Sequence, residues 1–138
     1  MITNPVALAL IRTQWSVVLR FCEASHAQYM SPSGCYINET PPESFFNLPL
    51  ILAFGVLDQV LDEFIRQKIV PRPAGRSTQL AAKMDAAKSA ITWQNFSHIE
   101  LGREERNKVA HDGNLLGRAT CIIYVKAIEA ELSAWHIL

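Results

Sequence analysis

The chain has 138 residues, 49% of them hydrophobic and only 19% charged; that is the length of one domain, with enough apolar content for a real core. Thirteen basic and thirteen acidic residues cancel, so no global field draws the chain onto nucleic acid, and any such contact has to come from a local basic cluster. Cys22, Cys35 and Cys121 are odd in number and scattered, with no C-x-x-C pair, which argues against a disulfide scaffold and a structural zinc.

The N-terminus, Met1-Ile2-Thr3-Asn4-Pro5, lacks a basic region ahead of apolar residues, so a cytoplasmic location is expected over secretion. Asn4 followed by Pro5 is a helix start, because Asn caps and Pro at the first helical position gives up no useful N–H. Leu8, Ile11, Trp15, Val18 and Cys22 recur at helical spacing, predicting a first helix to about Gln28. Residues 31–44, rich in Ser, Pro, Gly and Asn, read as the longest loop. A second helix is expected from Asn47 or Leu48, with Pro49 in its first turn and Leu50, Phe54, Leu57, Leu61 and Phe64 inward. Asp58, Asp62 and Glu63, followed by Arg66 and Lys68, read as its solvated face.

Pro71-Arg72-Pro73-Ala74-Gly75 breaks that helix, and Thr78 opens an alanine-rich third one with Leu80, Met84, Ala87 and Ile91 inward. Ser97-His98-Ile99-Glu100 has the form of a capping box, although a run continuous from Trp93 is the alternative. Asp112-Gly113-Asn114 is a stop signal, and Cys121, Val125, Ile128, Leu132 and Trp135 form a last helical stripe. No segment reads as a strand. Arg12, Arg20, Asp58 and Asp62 interrupt the most apolar runs, so no membrane span is expected. The fold class expected is all-α: a single domain over 1–138, an up-and-down bundle of four to five helices. So little surface charge also implies apolar area hidden against a second subunit.

Within that frame, Arg106-Asn107-Lys108-Val109-Ala110-His111 concentrates a permanent cation, a carboxamide and an imidazole in one and a half helical turns. Arg holds a phosphate fork-on and His moves protons near neutrality, while Asn donates and accepts to fix either partner. Asn107 and His111 are one turn apart and Arg103 a turn earlier; Arg106 sits about 140° around from His111, within reach of its long side chain. The candidate catalytic residues are Arg106, Asn107 and His111. Arg103 and Lys108 are candidate RNA-binding residues, and Glu104 and Glu105 subtract charge. A salt-laced solvated helix ending in a histidine is the plain alternative. His98 reads as part of the cap or the surface. His26 and His136 lack partners at metal-ligand spacing, so no metal or other cofactor is expected. Tyr29, Tyr36 and Tyr124 are core or loop residues before they are base-stacking ones.

The string Arg106-Asn107-x-x-x-His111, closing a helix and followed by Gly113 and one more amphipathic helix, resembles the HEPN superfamily of small helical domains. The resemblance covers the motif closely and the helical layout, from Leu8 to Trp135, loosely. It implies a metal-independent endoribonuclease, as in bacterial toxins or phage-defence effectors, cleaving RNA by 2′-OH attack to a 2′,3′-cyclic phosphate. It also implies a homodimer with a composite cleft and a nucleotidyltransferase-type antitoxin as partner. Some relatives carry a tyrosine two residues after the histidine, which the partner modifies; here Gly113 stands there. The alternative is a non-catalytic HEPN-like dimer that binds RNA, nucleotide or a partner protein. A helical DNA-binding regulator is a weaker third reading, since no basic recognition helix is present.

Overall fold

A computed structural model describes residues 2–23, 27–39 and 41–138. Five helices carry the fold: α1 (Pro5–Glu23), α2 (Asn47–Arg66), α3 (Leu80–Ala87), α4 (Phe96–Asp112) and α5 (Arg118–Ala134). All four others pack on α2. Its inward residues explain why: Leu50, Ala53, Phe54, Leu57, Val60 and Leu61 are fully enclosed, each large side chain contributing roughly 1.5–3 kcal/mol by leaving water. Ile11, Trp15 and Val18 of α1 and Cys121, Val125, Ile128 and Leu132 of α5 close the core. Glu43–Arg66, the 3-10 turn plus α2, is long and apolar enough to cross a membrane, contrary to the reading of its charges; 56% of its apolar window is buried inside the bundle, as in a core helix.

The helix starts follow local chemistry where local chemistry exists. Asn4 Oδ1 accepts from the amides of Val6 (3.1 Å) and Ala7 (3.3 Å), the cap that the sequence announces. At α4 the capping box does not form: the helix begins at Phe96, Ser97 already lies inside it, and no side chain of its own caps it. Instead Glu131 Oε1, from α5, accepts from the amides of Gln94 and Asn95. A fully buried carboxylate thus meets the positive end of α4.

Three other expectations are corrected. The first helix ends at Glu23 rather than Gln28, and Ala27–Met30 is a strand, β1, pairing antiparallel with β2 (Tyr36–Glu39). Pro32-Ser33-Gly34 forms the hairpin turn with Gly34 at φ 85°, so most of the expected loop is this hairpin. The acidic set on α2 is only in part a solvated face: Asp62 is exposed and Asp58 partly so. Glu63 is buried and accepts from Arg66 and Gln67 Nε2, while Lys83 Nζ of α3 lies 2.9 Å from Asp58 and 2.8 Å from Asp62.

One apolar surface is left uncovered in the single chain. Leu10 and Val17 of α1 and Leu48, Ile51 and Leu52 of α2 are exposed, and a groove of about 350 Å³ runs between the helices past Val17, Leu52 and Gly55.

Candidate functional site

Arg106 stands where helical periodicity calls for a core residue. Ile99, Gly102 and Val109 form the buried stripe of α4, and Arg106 falls on it, one turn after Gly102 and just under one before Val109. The close approach at Gly102 makes room: a Cβ there would lie 2.7 Å from Tyr124 Cδ1 and 3.2 Å from Phe54 Cζ. With α4 drawn in this far, the Arg106 guanidinium lies over the Phe54 ring, 5.6 Å from its centroid. Burial lowers its pKa; Asp58 opposes that and Arg103 adds to it, and a guanidinium stays charged regardless. Its Nε–H is buried and donates to no acceptor among the described residues. An unpaired buried donor costs about 1–3 kcal/mol.

The outer end of Arg106 opens on a cleft of about 330 Å³ between α4 and the start of α3. Arg103, Arg106, Asn107 and His111 line one wall, and Gln79, Leu80 and Ala81 the other. Four of the five residues singled out in the sequence therefore share one concave surface. Arg103 is largely covered and only loosely paired, with Glu104 at 3.7 Å. Asn107 is half-buried and His111 exposed, in the last turn before Gly113 closes the helix at φ 70°. The fifth, Lys108, is not part of the cleft: it points to solvent and bonds Glu105 at 2.8 Å.

The far wall was not legible as a site. Gln79 holds the N-cap position of α3 without a side-chain capping bond, and the first intrahelical bond runs from the Lys83 amide to the Gln79 carbonyl (3.1 Å). The amides of Leu80 and Ala81 thus have no helical partner and sit at the positive end of α3. Nothing local marks Gln79 or Phe54 as neighbours of Arg106; only the tertiary approach does. Chemically, two guanidiniums, a carboxamide, an imidazole and a helix start suit a phosphate with a sugar beside it.

The remaining candidates stay apart from the cleft. His98 is exposed with its ring 5.0 Å from that of Tyr124, and His136 is exposed. His26 and the Tyr29 side chain lie outside the described residues; Tyr36 is exposed and Tyr124 is buried. No group of three potential metal ligands occurs among the described residues. No protein-family model, curated protein or solved structure matches the chain.

Proposed function

We propose that the protein is a metal-independent endoribonuclease of HEPN type, acting as a toxin or defence effector on cytoplasmic RNA. What supports this most is the convergence of Arg106, Asn107 and His111 on one open cleft. RNA carries its own nucleophile. In this mechanism the 2′-oxygen loses its proton and attacks the adjacent phosphorus, the bond to the 5′-oxygen breaks, and that oxygen takes up a proton. A 2′,3′-cyclic phosphate and a 5′-hydroxyl result. His111, at the open mouth, serves one of the two proton transfers. Arg106, already desolvated over Phe54, stabilises the charge that builds on the phosphoryl oxygens. Asn107 orients the phosphate or the imidazole.

One imidazole per cleft leaves the second proton transfer to another group, and a two-fold dimer supplies it from the other copy. The exposed stripe of Leu48, Ile51 and Leu52 is an apolar face for such a dimer; light scattering of the wild type and of Leu52→Glu measures it. Control by a nucleotidyltransferase-type partner would need a target other than position 113, which is glycine.

Purified protein is expected to cut RNA in EDTA and leave cyclic ends, with His111→Ala and Arg106→Ala each slowing cleavage by about 10²-fold or more while keeping the helical circular-dichroism signal. Intact RNA across varied substrates would instead favour a dimer that binds RNA, nucleotide or a partner protein. That second reading draws on the pairing of Arg103 with Glu104 and of Lys108 with Glu105, which withdraws two cations from any strand.

A further inference from the structure

The Arg106 cleft has a neighbour. A second concavity of about 200 Å³ is lined by Asp62, Arg72, Arg76, Ser77, Thr78 and Lys83, among others. The two share no lining residue but are bordered by consecutive ones: Ser77 and Thr78 border one, Gln79, Leu80 and Ala81 the other. Between them the clefts gather Arg72, Arg76, Arg103 and Arg106. Lys83, which also borders the second, is buried and held by Asp58 and Asp62 at 2.9 and 2.8 Å, and Arg103 lies 3.7 Å from Glu104. Arg72, Arg76 and Arg106 are therefore the three without an ion pair among the described residues. A chain of zero net charge thus carries a locally positive surface across the two clefts.

The two outer arginines sit on a stiff segment. Pro71 and Pro73 flank Arg72, and the Arg76 amide bonds the Pro73 carbonyl at 3.1 Å. Gly75 (φ 65°) and Arg76 (φ 54°) are both left-handed, a conformation rare for a residue as large as arginine. Neither arginine forms an ion pair among the described residues, and both are exposed. No aromatic side chain among the described residues lines either cleft, so the cations there favour contacts to the phosphate backbone over stacking on aromatic rings.

Building on the ribonuclease reading, we infer that the two clefts form one track for single-stranded RNA, with Arg72 and Arg76 holding phosphates that flank the one bound at Arg106. The track fixes the strand's path without reading its sequence.

The test uses the full chain carrying His111→Ala, so that RNA is bound and not consumed, and a short fluorescein-labelled single-stranded RNA in EDTA. Anisotropy is followed against salt, with and without Arg72→Ala and Arg76→Ala together. The double change is expected to weaken binding about tenfold and to reduce the slope of log K against log salt by about 1.4, near 0.7 for each phosphate released. Arg72→Lys with Arg76→Lys keeps most of the slope, and Lys126→Ala leaves it unchanged. Unaltered affinity and slope in the double alanine variant would overturn the track, even with RNA cleavage by the otherwise wild-type chain intact. Arginine-dependent binding by a chain whose wild type never cuts RNA would uphold the track and remove the nuclease. A chain that binds no single-stranded RNA would refute the track outright.

Discussion

Adding one methyl group at each of two helical glycines should move stability in opposite directions. Alanine favours a helix interior over glycine by up to about 1 kcal/mol. At Gly55, exposed on α2, an added Cβ meets nothing within 4 Å, so Gly55→Ala should stabilise by about 0.5–1 kcal/mol. At Gly102 the same gain is opposed by contacts of 2.7 and 2.9 Å to the Tyr124 ring and 3.2 Å to Phe54. Tyr124 is 6% exposed and Phe54 fully buried, so neither ring has free space to move into. Overpacking costs about 1–3 kcal/mol, and Gly102→Ala should lose about 1–2 kcal/mol net. Urea unfolding of both variants, followed by circular dichroism at a protein concentration that holds the association state fixed, reads the difference. A Gly102→Ala protein as stable as the wild type would mean that α4 does not lie this close to α5 and α2. The seat of Arg106 on Phe54 would then be wrong as well. If the reasoning holds, the displaced Phe54 ring also lowers RNA cleavage more than the stability loss alone accounts for.

Three further outcomes are expected. Asn47, buried, donates to the Ser44 and Leu116 carbonyls (2.9 and 2.8 Å) and accepts from the Leu116 amide (3.0 Å); Asn47→Ala should cost about 1–3 kcal/mol in the same urea assay, because the Leu116 amide loses its acceptor and two carbonyls each lose a donor. For Lys83, burial works against the charge, but hydrogen bonds and charges from Asp62 and Asp58 outweigh it and raise the pKa above the ordinary 10.5. Its contribution is therefore complete below pH 10.5 and lost as pH climbs through the higher folded value, so the stability gap between wild type and Lys83→Met should be flat from neutrality and shrink above 10.5. With a disulfide-exchange reagent at pH 8, exposed Cys35 should react first. Cys22, raised by burial and by Glu129 and Glu23, should lag; Cys121, buried and pushed up to about 11, should wait for unfolding.

Much of the fold could be read because its signals are local. Asn4-Pro5 caps within three residues, the α2 stripe repeats every three or four, and Gly113 ends α4 where its φ of 70° requires glycine's freedom. The failures are of a different kind. Strands of four residues carry too few alternations to be told from loop, although Pro32-Ser33-Gly34 was a turn signal in plain view. Ser97 matched a local capping pattern, yet a carboxylate 34 positions later won the helix start. That Asp58 and Asp62 share a buried cation was hidden because Lys83 lies on another helix. In the cleft, the α4 wall follows from helical spacing. Gln79, Phe54 and the arginines at 72 and 76 enter only through tertiary packing.

The dependence of α4 on Glu131 orders events during synthesis. The Arg106 to His111 stretch leaves the ribosome twenty residues ahead of the carboxylate that organises the beginning of its helix. Until α5 has been made and has docked, the amides of Gln94 and Asn95 have water in place of that carboxylate, and the wall of the cleft is only loosely wound. A nascent chain therefore carries the Arg106 to His111 side chains before it has the packed surface that gathers them in one cleft.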